Sequence, residues 1–169
     1  MKRIALIATL ILVSATPAFA HAGHGIASGF LHPFLGWDHL VAMLAVGAWG
    51  ATLGARAIWA VPAAFVSAMI VGGAFGMAGI EVPFVETMIL ASVLVLAGFA
   101  VARVKLPVWS GMAIVGLFAL AHGYTHGAEI PAGANAWIFG AGFVAATSLI
   151  HALGALMALA VMRMKAVRV

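Results

Sequence analysis

Of the 169 residues, 66% are hydrophobic and only 7% are charged. A soluble domain carries roughly 25% charged residues, so this chain has too few to cover a water-facing surface. The formal charge of +4 comes from basic residues too few and too scattered for a nucleic-acid footprint. With no cysteine in the chain, disulfides, iron–sulfur clusters and thiolate metal sites are excluded. Any metal ligand is therefore His, Asp, Glu, Met or a backbone oxygen. The apolar runs reach the ~20 residues that a helix needs to cross a hydrocarbon core, and they do not alternate as barrel strands do. The expected class is an all-α, polytopic transmembrane helix bundle with about five spans after a cleaved signal peptide.

The chain opens as such a signal peptide. Met1-Lys2-Arg3 is a basic start, Ile4 to Ala15 an apolar run too short to span comfortably, and Pro17-Ala18-Phe19-Ala20 offers small residues for cleavage after Ala20. Residues 21–169 then form a single transmembrane domain. Its apolar segments lie at 30–53, 57–79, 84–102, 108–127 and 135–162, separated by short breaks. Placing the mature N-terminus outside and the C-terminus inside puts Arg56, Arg103, Lys105, Arg163, Lys165 and Arg168 on the inner side. Glu81, Glu86 and Glu129 fall on the outer connections. This obeys the positive-inside rule and accounts for the basic charge without an anionic partner. The pairs Gly50–Gly54, Gly72–Gly76 and Gly123–Gly127 are each G-x-x-x-G, a spacing that lets helix backbones approach closely in lipid.

An ionisable side chain at membrane depth costs roughly 2.5–3.5 kcal/mol on insertion scales, so each one needs a reason. All seven histidines fall in the outer half of this topology or near its midplane. In the string His32-Pro33-Phe34-Leu35-Gly36-Trp37-Asp38-His39, a continuous helix places His32, Gly36, His39 and Met43 on one face. Pro33 suits a first helical turn. Asp38 is either a direct ligand or an acceptor that holds a histidine tautomer, or an acid favoured by the helix dipole.

In His122-Gly123-Tyr124-Thr125-His126-Gly127-Ala128-Glu129, positions i, i+4 and i+7 let His122, His126 and Glu129 converge. Two imidazoles and a carboxylate suit a borderline dication such as Ni²⁺, Co²⁺ or Zn²⁺; the plainer reading is interfacial histidines bonded to loop carbonyls. No Glu follows His122, so this is not the H-E-x-x-H protease motif.

His151, well inside the last helix, is either a partner for a passing ion or a hydrogen-bonded structural residue, and Thr147 and Ser148 beside it suit interhelical hydrogen bonds. His21 and His24 at the mature N-terminus offer a capture site for a dication, or else an unstructured tail. Met43, Met69, Met77 and Met88 fit core filling better than soft ligation.

These strings, with His21 to His24, Ser28-Gly29-Phe30, His32-Pro33, Gly36, Asp38-His39, Met43, His122-Gly123 and His126-Gly127, resemble the HupE/UreJ family of hydrogenase and urease accessory membrane proteins. The resemblance covers essentially the whole mature chain. It implies a secondary permease for Ni²⁺ or Co²⁺ in the bacterial inner membrane, feeding nickel-enzyme maturation proteins, with no tightly bound cofactor and no enzymatic activity. On it His32, Asp38, His39, His122, His126 and Glu129 are the metal residues. The first string also looks like the H-x₄-D-H signature of larger nickel/cobalt permeases, but here five residues separate His32 from Asp38. The alternatives are a metal-binding sensor or accessory scaffold that transports nothing, and a bis-histidine membrane haem protein. Self-association of the chain stays open.

Overall fold

The computed structural model describes residues 25–167, and its regular elements are all helical. The signal-peptide expectation and His21 and His24 lie outside those residues. Helix α1 covers Ile26–Leu31 and runs into a 3₁₀ turn at His32–Phe34. The remaining helices are α2 (Trp37–Leu53), α3 (Ala57–Met77), α4 (Val85–Ala102), α5 (Val108–Ala128) and α6 (Ala136–Val167). Helices α3 to α6 are each long and apolar enough to cross a bilayer, and α1 and α2 meet the same measure only when taken together as one bent pair.

That break corrects the expectation of one helix over 30–53. Pro33 has no N–H to continue the ladder, and Gly36 is extended at φ −100° and ψ 115°. The chain therefore bends by 85° between Phe34 and Trp37. His32 and His39 do not share one helical face.

Short connections make successive helices alternate in direction. The break at Gly36, the segment 78–84 and the segment 129–135 lie at one end of the bundle. The segments at 54–56 and 103–107, which hold Arg56, Arg103 and Lys105, lie at the other. At this basic end Lys105 donates to the Thr52 carbonyl and Trp49 Nε1 to the Val104 carbonyl at 2.9 Å. A cation there satisfies carbonyls that the end of α2 leaves free. Helix α4 stops with Arg103 in the left-handed region (φ 52°), and the Val104 N–H returns to the Phe99 carbonyl at 3.0 Å. Trp37 and Trp137 are exposed at the acidic end, Trp59 and Trp109 at the basic end. Two such tryptophan belts suit the two interfaces of a bilayer.

Helix α3 packs chiefly on α5, and α2 on α6, with α4 against α2 and α5. Both main pairings rest on glycine. A Cβ on Gly72 would stand 2.2 Å from the Leu120 carbonyl oxygen, and one on Gly123 would stand 1.9 Å from that of Met69. Gly76 and Gly127 repeat the arrangement one turn further along, and Gly47 and Gly154 do so between α2 and α6. In lipid, where water exclusion does not drive helices together, such close approach supplies the dispersion contacts that hold them. The Gly50–Gly54 pair departs from this pattern. A Cβ on Gly50 would meet the Ala57 carbonyl at 3.1 Å, while Gly54, at φ +123°, ends α2 in a turn that favours glycine. The core between the helices is built from Met43, Val46, Trp49, Phe65, Met69 and Leu96 among others.

Candidate metal centre

The acidic end of the bundle gathers the histidines. Asp38, in the first turn of α2, accepts two hydrogen bonds on one oxygen, from the His39 backbone N–H and from His39 Nδ1, both at 2.8 Å. An ionised carboxylate only accepts, so Nδ1 carries the proton and the lone pair of His39 sits on Nε2. That atom is buried and finds no hydrogen-bond partner among the described residues. A carboxylate holding the far nitrogen of an imidazole is the usual support behind a metal-binding histidine.

Glu129 follows the last turn of α5. Its Oε2 lies 3.2 Å from His32 Nε2 on the 3₁₀ turn and 3.7 Å from His126 Nδ1. Ligand atoms of His32, His126 and Glu129 all lie within 4.8 Å of one another, close enough to hold one ion. The His126 and His32 imidazoles hold the half-exposed Glu129 carboxyl well below the usual carboxylate range.

From this outer trio the imidazoles continue inward. The ring centre of His126 is 5.0 Å from His32 and 4.4 Å from His39, and His39 is 4.8 Å from His122. His122 is fully buried and bonds through Nε2 to Ser92 Oγ at 2.8 Å. Phe139 and Phe143 of α6 wall the string beside His32 and His126. Phe65 of α3 closes its deep end against His122 at 5.6 Å. Apolar walls of this kind lower the local dielectric and strengthen charge–dipole interactions inside.

The structure thus brings His32, Asp38, His39, His122, His126 and Glu129 into one assembly, although not by the helical spacing alone. His122 turns toward His39 and Ser92, while Glu129 joins His126 to His32. His151 is not part of the outer trio and packs on Phe65, at 5.1 Å from its ring. Met43 is buried in the main hydrophobic cluster. Ser92 and Phe65 were not singled out from the sequence. A lone serine in the apolar run 84–102 is a signal that reading could have used, since a buried hydroxyl needs a partner. Phe65 carried no such signal.

Two openings reach the assembly. A cavity of ≈ 410 Å³ lined by Glu86, Tyr124, Thr125 and Glu129 meets it from the acidic end, and an apolar cleft of ≈ 340 Å³ between α3, α5 and α6 reaches His126.

A family model described as HupE / UreJ protein matches residues 8–169. A curated protein of Rhizobium leguminosarum bv. viciae, named Protein HupE, is 44% identical over 153 residues, covering 88% of this chain and 80% of its own length. No solved structure matches the chain.

Proposed function

The chain belongs to the HupE/UreJ family of multi-pass membrane proteins, and on that premise we propose that it is a secondary, ATP-independent permease. Its cargo is a divalent transition-metal ion, Ni²⁺ first and Co²⁺ next, carried across the bacterial inner membrane for metalloenzyme assembly. The observation that carries this reading is the contiguous string His32–His126–His39–His122, flanked by Glu129 and Asp38 at one end of the bundle. Imidazole and carboxylate together suit borderline dications, and among these geometry rather than affinity order sets selectivity. Glu129 offers charge where an ion arrives still hydrated. The buried nitrogens further in offer ligands as water is shed.

In this reading the acidic end faces outside and the basic end inside, as the positive-inside rule requires. No P-loop occurs in the sequence. The membrane potential supplies about 4.6 kcal/mol per 100 mV for a doubly charged ion, twice the single-charge value. The direct packing of His39 on His126 favours a small ion over a haem, whose plane needs a slot between its axial imidazoles.

The test is uptake into proteoliposomes that hold the full-length mature protein, scanned over Ni²⁺, Co²⁺ and Zn²⁺ with wild type and His126→Ala. Saturable uptake by wild type that the variant loses is the expected result. Binding by wild type without uptake would make the protein a sensor or scaffold, and absence of binding would return the histidines to a structural role.

A further inference from the structure

The interior of the bundle holds a second polar group that the outer assembly does not use. His151 and Thr147 lie one turn apart on α6, and both are buried, at 2% and 0% exposure. Neither ring nitrogen of His151, nor the hydroxyl of Thr147, has a hydrogen-bond partner among the described residues. Thr147 departs from its neighbours in this. Thr52, Ser92, Thr125 and Ser148 each donate to a carbonyl three or four residues back, the usual resting place of a helical hydroxyl. An unpaired buried polar group is unfavourable, so leaving three atoms unpaired on one helix face requires compensation.

His122 connects this pair to the outer assembly. The Ser92 hydroxyl has one proton and lies 2.6 Å from the Ile89 carbonyl, to which it donates. It therefore accepts from His122 Nε2–H at 2.8 Å. The lone pair of His122 is then on Nδ1, which is buried and otherwise unpartnered among the described residues. The Phe65 ring contacts both His122, at 5.6 Å, and His151, at 5.1 Å.

We propose that His151 and Thr147 form a second, inner binding site for the transported dication, deeper than the His32–His126–Glu129 trio and reached from His122 past Phe65. The proposal rests on the permease reading and adds a step to it. One imidazole nitrogen and one hydroxyl oxygen leave the remaining coordination positions to water. The inner site is therefore weaker than the outer one, as a conducting path needs: binding good enough to enter and poor enough to leave. No histidine follows His151 in the sequence, so nothing of that kind retains the ion on the inner side.

The test uses the full mature chain in lipid, with ⁶³Ni²⁺ binding in nanodiscs and ⁶³Ni²⁺ uptake in proteoliposomes. The variants are His151→Gln, Thr147→Val and Thr147→Ser. The expected result for His151→Gln is high-affinity binding within about twofold of wild type, loss of a weaker second equivalent at saturation, and uptake reduced about tenfold or more. Thr147→Val, which keeps shape and removes the hydroxyl, lowers uptake in the same direction, and Thr147→Ser restores it. Wild-type uptake in Thr147→Val and His151→Gln would overturn the proposal. A parallel fall in high-affinity binding would also overturn it, by merging His151 with the outer site. If His151→Gln does not fold, as judged by melting and monodispersity, the two threonine variants decide. If wild-type protein binds but never transports, the permease reading fails while the second equivalent still reports whether the inner site exists.

Discussion

Gly123→Ala is the perturbation that most directly tests how the fold holds the candidate metal residues. Gly123 lies between His122 and His126 in sequence order, on the face of α5 that meets α3. Its added Cβ would stand 1.9 Å from the Met69 carbonyl oxygen, where ordinary contact begins at 3.4 Å. The obstacle is backbone, so no side-chain rotation relieves it, and the two helices must separate by about 1.5 Å. Overpacking of this kind costs about 1–3 kcal/mol. Displacement of α5 relative to α3 also moves His122 and His126 against His39 by a distance far beyond the ~0.2 Å tolerance of metal–ligand bonds.

The expected outcome is a lowered melting temperature in detergent and Ni²⁺ affinity weakened at least about tenfold, equivalent to ~1.4 kcal/mol. The assay is calorimetric Ni²⁺ titration beside a thermal melt. Gly98→Ala is the control, because a Cβ there meets nothing within 4 Å; it leaves both readouts near wild type. Wild-type affinity and melting in Gly123→Ala would refute the close-packing argument and the link from packing to site geometry.

Two further outcomes follow from the local chemistry. Asp38→Asn replaces the anionic acceptor of His39 Nδ1–H with a neutral amide, so Ni²⁺ affinity drops about 10–100-fold with the fold retained. Unchanged affinity on titration would show that the carboxylate does not orient His39. Acidification weakens Ni²⁺ binding, because neutral imidazole is the ligand and a proton competes with the metal for the same lone pair. Glu129 adds no step near the ordinary carboxylate range, since the His126 and His32 imidazoles hold its carboxyl below that range and keep it ionised. A titration of affinity against pH checks both the direction and the absence of that step.

Hydropathy is a property of neighbours in the chain, and what depends on neighbours was legible without coordinates. The segments read as 57–79, 84–102, 108–127 and 135–162 are the helices Ala57–Met77, Val85–Ala102, Val108–Ala128 and Ala136–Val167. The cost of an ionisable group in hydrocarbon likewise marked His32, Asp38, His39, His122, His126 and Glu129. Gly72–Gly76 and Gly123–Gly127 were visible as packing pairs for the same reason, although not that they pack on each other. At Gly36 local reading failed. Pro33 does lie in a first helical turn, that of His32–Phe34, but the extended Gly36 ends that turn and swings His32 across to Glu129.

Only the tertiary structure decided which of these residues meet. His32 and Glu129 are 97 positions apart, and Ser92 and His122 are 30 apart; no periodicity within one helix relates such pairs. Their contact depends on how the helices assemble, and facing glycines set the closest approaches in that assembly, α3 on α5 and α2 on α6. The sequence by itself determined that the chain crosses a membrane and which polar groups are costly there. The packing determined that those groups form one string of imidazoles, with Ser92 and Phe65 added to it and His151 placed against the same Phe65 ring as His122.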